Sequence, residues 1–131
     1  MDETRYDDLA TYTAALRRRY PDVRPYEDDD WDWMDEGLDF LEDGQYEMAE
    51  AKFQELVLSQ PNFMDGYEGL ARVYLAVGRR REAEFLVAEA LRLSREYLDR
   101  GDIPLSAHEN IVALGREIEA MPDASEARQP L

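Results

Sequence analysis

Residues 33–57 read WMDEGLDFLEDGQYEMAEAKFQELV, and residues 67–91 read YEGLARVYLAVGRRREAEFLVAEAL. A shift of 34 residues aligns the two segments, so that residues of similar size fall in the same places. The matched pairs are Trp33 with Tyr67, Gly37 with Ala71, Phe40 with Tyr74, Gly44 with Gly78, Ala49 with Ala83, Phe53 with Val87 and Val57 with Leu91. Self-similarity at a fixed period of this length is typical of repeats that stack on one another.

The rest of the chain also has a helical pattern, with apolar residues recurring at intervals of three and four. Residues 4–19 form a first candidate helix, which ends at the PDVRP stretch because prolines cannot continue a helix. Its apolar side carries Tyr6, Leu9, Thr13, Leu16 and Tyr20. Residues 106–121 form a last candidate helix, opened by a capping box from Ser106 to Glu109. The sequence therefore predicts an all-α protein.

The period and the residue types resemble the tetratricopeptide repeat, a family in which two antiparallel helices are joined by a short turn. The resemblance covers two repeats, at about 30–63 and 64–97. Residues at the family's spacing are Trp33, Gly37, Phe40, Gly44, Tyr46, Ala49, Phe53 and Pro61 in the first copy, and Tyr67, Leu70, Ala71, Tyr74, Gly78, Ala83 and Ala90 in the second. Glu36, Arg80 and Arg95 depart from the family's pattern. Arg95 replaces the closing proline, so the last repeat helix is predicted to continue towards Leu98.

The resemblance implies a short stack of helix hairpins with a helix on either side. Residues 1–26 are predicted to form an N-terminal helix and a proline-containing linker, residues 27–121 the repeat domain with its capping helix, and residues 122–131 a frayed tail. Two repeats are fewer than the three that a stack usually needs, so the flanking helices must complete the core. Ala49 and Ala83 are expected at close helix crossings, and Trp33 is expected as a core aromatic.

The most acidic stretch, EDDDWDWMDEGLDFLEDG at residues 27–44, contains ten carboxylates and no basic residue. A calcium loop requires glycine at its sixth position. Counted from Asp30, that position is Asp35, so no metal site is predicted. In the repeat register, residues 30–43 form a helix whose acids are solvated on its outer face, and the acids near its start favour the helix dipole.

The composition excludes several classes of partner. The chain has 131 residues, with 31 acids against 15 bases and a net charge of −16. Such a surface repels nucleic acid and anionic lipid. No apolar run has the roughly 20 residues of a membrane span, and the N-terminus lacks the basic start of a signal peptide, so a soluble, cytoplasmic protein is predicted.

The basic residues are almost all arginine. Lys52 is the only lysine, which fits either adaptation to high salt, as in halophiles, or a GC-rich genome. The two arginine triplets, residues 17–19 and 79–81, are expected at a helix end or an interhelical turn. A cation there favours the negative end of a helix dipole, and an anion site is the alternative.

A second apolar side of the helix at 30–43 is left over after the repeat's own packing. It consists of Trp31, Met34, Leu38 and Leu41, and in the family this side lines a concave groove in which ligands bind. The matching residues of the second repeat are Asp65, Glu68, Arg72 and Leu75. Family members that grip acidic chaperone tails use lysine and asparagine there, and this chain lacks them. A peptide with apolar anchors and Lys or Arg fits better.

The expected function is therefore that of a non-catalytic protein–protein interaction module: an adaptor, an assembly factor or a small chaperone. Three occupants of the groove remain open: the chain's own N-terminal helix, a partner peptide, or a second copy in a homodimer. The alternative function is a self-associating or architectural protein whose groove is filled by its own N-terminal helix.

Catalysis is not expected. His108 is the only histidine and is expected on the surface within the capping box, and the chain has no phosphate loop, nucleophile elbow or HExxH motif. No catalytic residue, metal ion, cofactor, nucleic acid or membrane partner is predicted.

Overall fold

The computed structural model describes residues 8–25 and 32–122, and the regular structure of these residues is entirely helical. The helices are α1 Leu9–Arg19, α2 Trp33–Glu42, α3 Tyr46–Ser59, α4 Asp65–Ala76, α5 Arg80–Asp99 and α6 Leu105–Glu119. The prediction of an all-α fold is confirmed. Helix α5 passes Arg95 and ends at Asp99, which also confirms that the missing proline lets this helix run on.

The helices pack as a stack of hairpins. Helix α2 packs against α3 and helix α4 against α5, and the two hairpins meet where α3 packs against α4. Contacts of α2 with α4 and of α4 with α6 show that these three helices share one side of the stack. Helix α6 closes the series by packing against α5, as predicted for a capping helix. Helix α1 flanks the stack and packs against α3.

The same glycine turn joins the helices of both hairpins. Gly44 has φ 77° and Gly78 has φ 79°, a left-handed conformation that glycine adopts without steric cost. In each turn the residue after the glycine donates its backbone N–H to the carbonyl oxygen five residues earlier. Gln45 donates to Phe40 and Arg79 donates to Tyr74, both at 2.9 Å. These bonds satisfy carbonyls that a helix end leaves free. The repeat is therefore reproduced down to its backbone hydrogen bonds.

The ring of Phe53 lies at the centre of the stack. Its side chain is fully buried on α3, with Gly37 of α2 and Gly69 of α4 against it. A Cβ atom added to either glycine would come closer than 3.0 Å to ring atoms. Ala49 and Ala83 are also fully buried, which confirms that small residues occupy the close helix contacts.

Helix α2 is less covered than helix α4. Tyr67 and Tyr74 are fully buried on α4, whereas their counterparts Trp33 and Phe40 pack against the core but stay partly exposed. Trp33 therefore packs against the core, but it is not fully buried as predicted for a core aromatic. Among the described helices, α2 packs against α3 and α4, and none covers its other side as α3 covers α4.

Lys52 explains the departure at Glu36. Its ammonium nitrogen lies 4.9 Å from the centroid of the Trp33 ring and 3.3 Å from the Glu36 carboxylate. A leucine at position 36 would lose this ion pair and would leave an apolar side chain on the uncovered side of α2. The acid therefore suits the first helix of a stack.

Helix α1 covers α3 and part of α5. Tyr12 and Leu16 are buried, and the Tyr12 ring meets the Phe85 ring edge to face at 5.8 Å. The hydroxyl of Tyr20 donates to the side-chain oxygen of Gln54 at 2.8 Å. The predicted start of this helix and Tyr6 lie outside the described residues.

The start of α6 differs from its prediction. The helix begins at Leu105, and its N-cap residue, Pro104, makes no side-chain capping bond, so the predicted capping box is wrong. His108 is buried, and its Nδ1 lies 2.7 Å from the hydroxyl oxygen of Ser94. The prediction of a surface histidine is wrong because residue 108 lies on the same side of the helix as Ile111, which packs into the core.

Both arginine triplets lie at helix ends or turns, as predicted. Residues 17–19 form the last turn of α1. Arg80 donates from Nη1 to the carbonyl oxygen of Met121 at 2.7 Å, just beyond the end of α6. Arginine at position 80 therefore ties the start of α5 to the end of the capping helix.

The buried alanines provide a test of the repeat register. Ala83→Leu should lower the free energy of unfolding by about 1–3 kcal/mol, because the larger side chain has no room at the helix contact. Ala88→Leu on the exposed side of the same helix is the control and should change stability by less than about 0.5 kcal/mol. Urea unfolding measures both. Equal effects of the two substitutions would show that the helices are misplaced.

Candidate functional site

Seven of the eight predicted groove residues belong to the described part of the chain, and Trp31 lies outside it. Met34, Leu38 and Leu41 lie on α2, and Asp65, Glu68, Arg72 and Leu75 lie on α4. All seven are partly buried. Because α2 and α4 pack against each other, the seven residues belong to neighbouring helices on one side of the stack. The groove residues are hereafter these seven.

The apolar groove residues pack against the core on one side and are exposed to solvent on the other. Met34, Leu38, Leu41 and Leu75 pack against the core, yet each keeps part of its surface in contact with solvent. An apolar side chain held by the core presents a rigid surface, so little side-chain entropy is lost when a ligand covers it. Most of this apolar surface lies on α2.

The cation of the groove is already paired. Arg72 donates from Nη2 to the Glu68 carboxylate at 2.8 Å and from Nε to the same oxygen at 3.1 Å. Glu68 precedes Arg72 by one helical turn, a spacing at which opposite charges attract. Arg72 therefore offers little free positive charge to a ligand.

Asp65 is the chemically unusual residue of the groove. Burial, followed by repulsion from Glu68 and Asp35, raises the pKa of its carboxyl group to about 6. Among residues 8–25 and 32–122, no basic side chain forms an ion pair with Asp65. A carboxylate in this state is one that a cation brought by a ligand would stabilise.

The effect of the Asp35 charge on Asp65 was not predicted from the sequence. The sequence pattern assigned Asp35 to a solvated outer face, and Asp35 is indeed exposed, but its charge also acts on Asp65 across the contact between α2 and α4. The repeat spacing carries no signal for this, because the two residues occupy different places in the repeat. The acidic end of the groove thus draws on both helices.

The pair of Ser94 and His108 is the other arrangement with potential chemistry. Ser94 is fully buried between α5 and α6, and its hydroxyl also donates to the carbonyl of Leu91 at 3.2 Å. A substrate cannot reach this hydroxyl, so the pair holds the capping helix in place. In the part of the chain that the structure describes, no cluster of three His, Asp or Glu side chains could hold a metal ion.

Residues 8–25 and 32–122 contain no helix with the length and apolar character needed to cross a membrane. No protein-family model, curated protein or solved structure matches this chain. The resemblance to the tetratricopeptide repeat rests on the residues and spacing given above.

The raised pKa of Asp65 predicts how stability depends on pH. The pKa of Asp65 in the folded protein, about 6, lies above the ordinary 3.8, so ionisation of Asp65 opposes folding. The free-energy cost of this ionisation is absent below pH 3.8, grows between pH 3.8 and pH 6, and is complete above pH 6. Asp65→Asn should therefore raise the free energy of unfolding by about 1–2 kcal/mol at neutral pH, after allowance for partial exposure.

Urea unfolding at pH 7.5 and pH 4 measures this effect, and the gain should almost vanish at the lower pH. Asp22→Asn, in an exposed loop, is the matched control and should change stability little at either pH. A loss of stability in Asp65→Asn at pH 7.5 would contradict the repulsive environment assigned to this carboxylate.

Proposed function

We propose that this protein is a non-catalytic interaction module of the tetratricopeptide type, which holds an apolar and basic segment of a partner protein in the groove of α2 and α4. Such a module serves as an adaptor, an assembly factor or a small chaperone. The observation that carries the proposal is Asp65, a partly buried carboxylate that has no basic partner among the described residues.

Charge complementarity supports a basic ligand. Arg72 is held by Glu68, so it leaves the repulsion among Asp65, Asp35 and Glu68 in place. A Lys or Arg side chain from a partner would replace this repulsion with attraction. Because Asp65 is partly removed from water, this pair should be stronger than an exposed surface ion pair.

The apolar residues of α2 support a ligand with apolar anchors. Met34, Leu38 and Leu41 lie on one side of the helix and are partly open to solvent. A ligand that covers them removes apolar area from water, which is the main favourable term in peptide binding. The groove thus combines an apolar end on α2 with an acidic end where α4 begins.

The position of α1 supports an open groove. Helix α1 packs mainly against α3, and its Tyr12 ring meets Phe85 of α5; neither α3 nor α5 carries a groove residue. Tyr12 and Leu16 are buried in these contacts, so deletion of α1 should destabilise the protein whether the groove is open or filled. Stability after such a deletion therefore does not distinguish the two functions, and binding must be measured directly.

Self-association receives less support. Each copy carries a net charge of −16, and two acidic grooves repel each other at moderate ionic strength. Cytoplasmic location and adaptation to high salt stay predictions from the composition.

Peptide selection tests the proposed function and does not require the partner to be identified first. Peptides selected from a random display library on the whole protein should carry Lys or Arg within a few residues of a large apolar side chain. Leu38→Ala and Asp65→Asn should each weaken a selected peptide by about tenfold, which corresponds to the loss of one anchor or one ion pair in a binding site.

Met48→Ala is the matched control, since Met48 is an apolar residue of α3 that is 51% exposed and lies outside the groove. This substitution should leave peptide affinity unchanged, as measured by isothermal titration. The proposal fails if acidic peptides are enriched, or if Met48→Ala weakens binding as much as Leu38→Ala does.

A further inference from the structure

The side of α4 that faces α3 differs sharply from the same side of α2. On α4, Gly66 and Gly69 lie against Val57 and Phe53 of α3. Leu70 and Val73 follow on the same side at helical spacing, and all four residues are buried. The residues 34 positions earlier are Asp32, the N-cap residue of α2, and Asp35, Glu36 and Asp39 on the helix itself. Each of these four positions, small or apolar on α4, is thus an acid in the first repeat.

These acids lie on an uncovered helix side. Asp32, Asp35 and Asp39 are exposed, and within the described residues no basic side chain forms an ion pair with them. Glu36 is the exception, because it pairs with Lys52. The apolar neighbours Trp33 and Phe40 are only partly buried, which leaves apolar surface beside the charges. The α2 end face is defined here as Asp32, Asp35 and Asp39.

The charge of this face restricts what can cover it. A second copy would bring a net charge of −16. The chain's own segments outside the described residues, MDETRYD at 1–7, YEDDDW at 26–31 and DASEARQPL at 123–131, each contain more acids than bases. Charge complementarity therefore favours a basic segment of another protein.

The packing of α3 on α4 specifies the form of that segment. Phe53 lies against Gly69 and Val57 against Gly66, so two residues one helical turn apart on α3 cover two positions of α4. A helix docked on α2 in the same way would place two residues one turn apart beside Asp35 and Asp32.

We propose that the α2 end face is a second docking surface, adjoining the groove at Asp35, for a helix of another protein that carries Lys or Arg at positions i and i+4. The docked helix extends the stack by one layer, and its apolar residues cover Trp33 and Phe40. Met34, Leu38 and Leu41 lie on a different side of α2 from Asp32 and Asp39, and Asp35 lies between the two surfaces because its charge also acts on Asp65.

A peptide derived from α3 tests the proposal. A fluorescent peptide with the sequence of residues 45–60 and the changes Phe53→Lys and Val57→Lys presents two lysines in the required places. The control peptide carries Phe53→Glu and Val57→Glu. Fluorescence anisotropy should show saturable binding of the Lys peptide, about tenfold tighter than the Glu peptide, since two partly exposed ion pairs supply a factor of this size.

A charge reversal in the whole protein makes the test specific. Asp32→Lys with Asp39→Lys, which leaves Asp35 and the groove carboxylate Asp65 unchanged, should remove the preference for the Lys peptide. Glu109→Lys with Glu117→Lys on the exposed side of α6 changes the net charge equally and should preserve the preference for the Lys peptide. Circular dichroism checks that both variants are folded.

Three results would overturn the proposal: no saturable binding of the Lys peptide, equal effects of the two charge reversals, or loss of Lys-peptide binding in Leu38→Ala. The last result would place the peptide in the groove. The α2 end face is tested with its own peptide, whereas the groove is tested with selected peptides. Failure of the end-face proposal is therefore distinguishable from failure of the proposed groove function.

Discussion

The contact of the Phe53 ring with two glycines determines how closely the helices of this protein approach one another. Gly37 brings α2 onto one part of the ring and Gly69 brings α4 onto another. The ring is fully buried, so it has no space into which it could move away from a larger residue. Both hairpins are therefore positioned by one side chain of α3.

The functional surfaces depend on this arrangement. Because α2 and α4 lie side by side against α3, Asp35 of α2 comes close enough to Asp65, at the start of α4, to repel its carboxylate. The other side of α2 has no covering helix among those described, and its acids keep it compatible with water. One helix thus carries an apolar surface and an acidic surface, which suit different partners.

The repeat was predictable from the sequence because it is recorded in residue size: the turn glycines, Ala49 and Ala83 recur at a fixed spacing and were assigned correctly. Features without a repeated signal were missed. Gly69 escaped notice since its counterpart is Asp35, and the burial of His108 depends on how α6 meets Ser94 of α5. The pKa of Asp65 is raised first by burial and then by charges on two helices, and a linear pattern reports neither the burial nor the distances between the charges.

The most direct test of this account is a double-mutant cycle at the glycine contact. Gly69→Ala should destabilise the natural protein by about 1–3 kcal/mol despite the better helix propensity of alanine, because the added methyl group strikes the Phe53 ring. In a Phe53→Leu background, which leaves space beside position 69, the same substitution should be neutral or stabilising in urea unfolding. Gly69→Ala with the same stabilising effect in both backgrounds would contradict the central position of Phe53.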